Sequence, residues 1–293
     1  MILITIALFC GISEFSSPLL ANTEISGDEN REKYLNIITV NKPQYDMVKS
    51  IIKEKHNLQY MIKDEKDINE FKYTNEVIKN VSNMDLFIYT GANFEPWANS
   101  FINELKKGNI GIINLSRGIR ILNYDSNGIN KENPYYFESI GEYKIALYNI
   151  KTAIQDRDPQ NRDYYEKNYN EAIESLDKRV ERYEEKIASL KDYTFITLNN
   201  NFDYLIKYLN LNTKQLDNRE LSEFIKINEL NPEKVIVIQD GEEKSTLDLS
   251  QYLTVDLWKY YGDMSFDDLI MYNIEELIKA VDYKNSVLSK KIE

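Results

Sequence analysis

From residue 36 onward, short unbroken apolar runs alternate with stretches whose apolar residues recur every three or four positions. The runs 36–41 (NIITVN), 58–62 (LQYMI), 85–91 (DLFIYTG) and 110–116 (IGIINLS) are rich in aliphatic and β-branched residues and predict strands. Between them, Pro43 to Lys55 places Tyr45, Val48, Ile51 and Ile52 on one helical face, and 75–81 and 98–105 predict two shorter helices. The same style resumes with a strand at 193–198 (YTFITL), a helix from about Phe202 to Tyr208, a strand at 234–239 (KVIVIQ) and a last helix from Asp267 to Val281. Strands spaced by helices imply parallel sheets covered on both faces. The expected fold is therefore α/β, with two α/β halves and no visible sequence repeat relating them.

Between the halves, Tyr169, Leu176, Tyr183 and Leu190 recur every seven residues, with Ile173, Val180 and Ile187 interleaved. Neither Gly nor Pro interrupts 163–190, so one continuous helix of about 28 residues, roughly 40 Å long, is expected. A coiled-coil dimer is one reading of such a seam. Three heptads embedded between two α/β halves fit better a single strut lying along both. The expected organisation is an N-terminal lobe over 36–162, an inter-lobe helix over 163–190 and a C-terminal lobe over 191–293.

The first 12 residues, MILITIALFCGI, are unbrokenly apolar. That is too short to span a bilayer but matches the core of an export signal, although the usual positive residues ahead of it are missing. Residues 1–21 are expected to be an export segment and 22–35 a flexible leader, placing the protein in the cell envelope. Cys10, the only cysteine, ends the apolar run where a lipid anchor would sit, but Phe9 is bulky where a lipid-attachment motif takes a small residue. Cleavage after Ala21 would instead remove Cys10 and leave no thiol; a buried N-terminal strand is the third reading.

Composition mainly excludes. A chain of 293 residues, 42% hydrophobic and 29% charged, can bury real cores, and its net charge of −12 argues against a nucleic-acid partner. There is no phosphate-cradling glycine loop, no Cys-x-x-Cys and a single histidine, His56, which reads as a solvated surface residue. An enzyme is not expected.

The stretch 86–105 (LFIYTGANFEPWANSFINEL) resembles the strand-loop-helix of solute-binding proteins that feed zinc or manganese to ABC importers. The matching turn is carried by Gly91, Phe94, Glu95, Pro96 and Trp97. Residues 113–122 (INLSRGIRIL), 158–187, 194–211 (TFITLNNNFDYLIKYLNL) and 262–280 resemble later segments of that family, in order. The resemblance implies two lobes bridged by one long rigid helix, a ligand cleft between them, an ABC permease as partner, and a monomer that captures a small ion or polar ligand.

The family's metal ligands are histidines and carboxylates. Aligned by their flanks, those positions fall here on Asn69, Tyr135 and Asn199, with Asp256 the looser fourth. Amides are neutral, and a phenol must lose a proton of pKa near 10 to coordinate strongly. The set supplies one formal negative charge, too little for tight zinc and little better for manganese. The resemblance thus implies a divalent ion, zinc or manganese, held weakly or not at all, unless Glu70, Glu138 or Asp240 substitutes. Asn199, Asn200 and Asn201 would suit a neutral polar or chelated ligand, or at least one would cap the helix that follows. The rival reading is an envelope adhesion or scaffold module that kept the fold and binds no ion.

Overall fold

The run 36–41 forms β1 (Asn36–Asn41), whose residues after the first are all buried. Asn41 ends the strand and caps α1 (Lys42–Ile52). Its Oδ1 accepts the Gln44 amide at 3.1 Å, while Gln44 Oε1 accepts the Asn41 amide at 3.3 Å, a reciprocal capping box. In the first lobe follow β2 (Asn57–Ile62), α2 (Asn75–Ser82), β3 (Leu86–Tyr89), α3 (Ala98–Leu105) and β4 (Gly111–Asn114), with a hairpin of β5 (Asn123–Ser126) and β6 (Ile129–Glu132) beyond. These coordinates are a computed structural model and describe residues 34–63, 67–105, 109–126 and 128–292. The expected export segment, Cys10 and the leader up to Lys33 lie outside the described residues. Leu35, at the end of the expected leader, is fully buried.

The second lobe holds β7 (Thr194–Thr197), α7 (Asp203–Leu209), β8 (Thr213–Gln215), α8 (Leu221–Ile227), β9 (Val235–Asp240), β10 (Thr254–Leu257) and α9 (Phe266–Ile292). The two main sheets run β2-β1-β3-β4 and β8-β7-β9-β10, all parallel, so they share one topology despite the lack of a sequence repeat. In each, the strand order reverses between the first and third strands, and the crevice beyond that reversal is where such sheets place ligands. Strand β9 shows why both faces are covered. Ile236 and Ile238 join the large core that reaches across both lobes, whereas Val235 and Val237 face a smaller cluster with Phe224, Ile225 and Leu249.

The bridging helix is not continuous. It runs as α5 (Arg162–Glu181) and, after one tightened turn, α6 (Glu184–Ser189). Tyr183 sits at φ −109°, ψ 4°, and its amide bonds Val180 O at 2.8 Å, so the helix bends there without Gly or Pro. Tertiary contacts flank the break on both sides. Upstream, Asn168 donates to Ile51 O on α1 at 2.7 Å; downstream, the Tyr183 hydroxyl donates to Glu275 on α9 at 2.7 Å, and Lys186 pairs with Asp282 at 2.8 Å. The seven-residue seam persists through the bend, with Leu176 and Leu190 buried and Tyr169 and Tyr183 half-buried.

Two helices exceed the pattern-based reading. An 18-residue helix, α4 (Ile140–Arg157), fills a stretch left without an element, and α9 continues past Val281 to Ile292. His56 is a correction: it is 7% exposed rather than solvated. Its Nδ1 accepts the Leu35 amide at 3.3 Å and its Nε2 meets the Tyr165 hydroxyl at 2.6 Å, which in turn donates to Asp158. Burial lowers the His56 pKa against the pull of Asp158, so a neutral ring ties the entry of β1 to α5.

Candidate functional site

The crevice of the first sheet is closed by its own loop. Gly91, Ala92 and Asn93 all take positive φ, which turns the chain back so that buried Glu95 accepts the Thr90 amide at 2.8 Å and the Gly91 amide at 3.1 Å. Gly91 is required: a Cβ there would lie 2.0 Å from Asn114 Oδ1. Burial raises the Glu95 pKa, partly offset by these donors. The resulting turn presents Phe94 toward the second lobe.

Phe94, Tyr135 and Phe137 from the first lobe meet Tyr260 and Phe266 from the second. Phe137 stacks on Phe266 with ring centroids 4.1 Å apart, and Phe94 lies 5.7 Å from Phe137 and 6.4 Å from Tyr260. Polar bonds complete the seam. Tyr204 accepts the Leu122 amide at 2.7 Å and donates to Asn133 O at 3.2 Å, and burial pushes its pKa up to about 12. Asn133 Nδ2 reaches Asn200 O at 2.7 Å.

At the crevice of the second sheet, Asp240 ends β9 with its carboxylate buried. Its Oδ1 accepts the Glu242 and Glu243 amides at 2.9 and 3.3 Å, and its Oδ2 takes Asn201 Nδ2 at 2.5 Å and Lys259 Nζ at 3.0 Å. Lys259, two residues beyond β10 and 4% exposed, also lies 3.3 Å from Glu243 and 3.8 Å from Glu242. Its ammonium sits 5.3 Å from the centroid of the Tyr135 ring, across the seam. Burial works against the charge, but Tyr135, Asp240 and Glu243 outweigh it and hold the Lys259 pKa above the usual lysine value. Gly241 lets the Trp258 ring pack close by, since a Cβ there would fall 2.3 Å from Trp258 Cε2.

The four positions singled out from sequence have different surroundings. Tyr135 faces Lys259, and Asn199 adjoins the same cluster through Asn201, whose amide it accepts at 3.1 Å. Asn69 is exposed in the turn beside Ile68, whose carbonyl holds Trp97 Nε1 at 2.9 Å. Asp256 lies on β10 opposite Gln239 and pairs with Lys244 at 2.9 Å. Glu70 is exposed and Glu138 buried. None of the three asparagines caps α7: Phe202 holds that position, Asn199 and Asn201 form an Asx turn, and Asn200 exchanges two amide bonds with Gln215. Among the described residues, no three of His, Cys, Asp and Glu stand together as an ion site. Lys259 was missed from sequence; the available signal was a lysine between Trp258 and Tyr260, at the carboxyl edge of a strand.

A family model described as ZnuA, zinc-uptake complex component A, periplasmic, matches residues 37–240. The chain belongs to that family. Among its relatives, the high-affinity zinc uptake system protein ZnuA of Bacillus subtilis is 27% identical over 202 residues, 64% of this chain and 62% of the relative. The manganese ABC transporter substrate-binding lipoprotein PsaA of Streptococcus pneumoniae is 27% identical over 198 residues, 64% of each chain. The chain thus spans a little under two thirds of the length of these relatives. Among solved structures, the metal-dependent lipoprotein YcdH of Bacillus subtilis superposes with a TM-score of 0.70 at 22% identity, over 84% of this chain and 98% of that one. The two-lobed α/β fold with a bridging helix is thereby that of ZnuA-type binding proteins, a family of substrate-binding transport proteins. No helix among the described residues is long and apolar enough to cross a membrane.

Proposed function

We propose that this protein is the extracytoplasmic substrate-binding component of a zinc/manganese-type ABC import system, with a rebuilt cleft that does not capture zinc or manganese tightly. Membership of the ZnuA family over residues 37–240 supports the transport role. The cleft carries the rest: where the lobes meet, the donors are a phenol, neutral amides and the carboxylates of Asp240, Glu242 and Glu243, which Lys259 already engages. Tight zinc sites gather imidazole, thiolate and carboxylate in one tetrahedral shell, and oxygen-rich divalent sites gather several carboxylates. The partner in this reading is an ABC permease. Export places the protein in the envelope, with Cys10 as the candidate lipid anchor.

A specific observation favours a second reading. The Phe94, Phe137, Tyr260 and Phe266 rings fill the seam with side chains, as in a rigid envelope module that has no solute to admit. One experiment separates the two. Tagged full-length protein, cross-linked in its host envelope and purified, should bring down an ABC permease. Recovery of envelope proteins without a permease would favour the scaffold.

A further inference from the structure

Three carboxylates, those of Asp240, Glu242 and Glu243, stand within 3.0–3.8 Å of a single ammonium, that of Lys259. The same ammonium faces the Tyr135 ring across the seam, and Asp240 also takes the Asn201 amide. An ion enclosed by carboxylates and a neutral amide, between two lobes, is how this architecture would hold a bound dication. We propose that the Lys259 ammonium is the resident cation of the cleft: it occupies the position a divalent ion would take, excludes such ions, and holds the lobes together without one. This inference rests on the reading that the cleft is the family's ligand site, but not on any permease.

The chemistry supports substitution rather than coincidence. Lysine is rarely this buried unless paired, and the Asp240 carboxylate, at 0% exposure, requires a counter-charge at Oδ2. The turn after β9 supplies the other two acids, Glu243 with its side chain 73% exposed and Glu242 25%. Withdrawing the ammonium leaves a buried anion, a neighbouring amide whose oxygen can turn inward, and the carboxylates of Glu242 and Glu243 close by. That is an oxygen-rich donor set for manganese or calcium, whereas the intact protein offers none of them unpaired.

The test is chemical rescue on purified full-length protein. The melting temperatures of wild type, Lys259→Ala and Lys259→Arg are followed during titration with MnCl2 at constant ionic strength, with KCl as control. Wild type and Lys259→Arg should ignore manganese. Lys259→Ala should melt lower and regain roughly 5 °C or more once manganese exceeds its Kd a hundredfold, with one ion bound by calorimetry. Potassium should give no recovery. If Lys259→Ala does not fold, Lys259→Gln, which keeps much of the side-chain bulk without the charge, carries the same comparison. A folded Lys259→Ala or Lys259→Gln that ignores manganese overturns the proposal, as does a wild type that binds one manganese ion tightly. Permease recovery from the envelope is scored separately, so loss of one reading leaves the other standing.

Discussion

Removing the Phe137 ring should both destabilise the protein and uncouple its lobes. Phe137 is 2% exposed, stacks on Phe266 at 4.1 Å with ring planes 24° apart, and has Phe94, Tyr136 and Tyr260 around it. Truncating a buried Phe to Ala costs about 3–5 kcal/mol, from lost transfer energy and the cavity left behind. A ring pair contributes about 0.5–1.5 kcal/mol beyond area burial, and this pair joins residues from opposite lobes. Urea unfolding of wild type, Phe137→Ala, Phe266→Ala and the double variant isolates that term as a double-mutant cycle. The expected result is a loss of about 3 kcal/mol or more for Phe137→Ala, with a favourable coupling of about 1 kcal/mol to Phe266. A coupling within about 0.3 kcal/mol of zero would mean the rings do not share a contact, and a Phe137→Ala cost under about 1 kcal/mol would mean the seam is open in solution.

Two further outcomes are expected. Because burial lowers the His56 pKa, the unfolded chain binds the proton more readily; the stability from neutral His56 is complete above about pH 6.5 and is lost as pH falls toward the folded value. Melting temperatures between about pH 5 and 7.5 should therefore slope downward on acidification, and His56→Gln should flatten the slope; an unchanged slope would remove His56 as the cause. Gly241→Ala should cost about 1–3 kcal/mol and alter tryptophan fluorescence, because its Cβ would meet Trp258 at 2.3 Å. Wild-type stability and emission would show that the ring packs elsewhere.

The parts of the fold legible in the sequence were those whose side chains all serve one core. β1, β3, β7 and β9 are runs rich in aliphatic, aromatic and β-branched residues because both faces of each sheet are covered. Helix α4 hid because its buried face includes Lys151 and Gln155, polar residues satisfied by Glu166 on the bridging helix. The break at Tyr183 left no local mark, since the seven-residue pattern runs through it and the contacts beside it come from α9, distant in sequence. His56 looked solvated because its charged neighbours are exposed, but Leu35, Tyr165 and Asp158 enclose it from distant segments. In the cleft, the asparagines and Tyr135 could be singled out by their flanks. Lys259 could not, because a lysine signals a buried site only once Asp240 and the Tyr135 ring are seen beside it.

Crystals grown with excess zinc and measured at the zinc absorption edge decide whether the cation of this cleft is Lys259 or a captured metal. No anomalous peak is expected between Tyr135 and Asp240, with Lys259 Nζ near its 3.0 Å distance from Asp240 Oδ2. A full-occupancy zinc peak at that point, with the Lys259 side chain displaced from it, would show instead that the cleft captures metal.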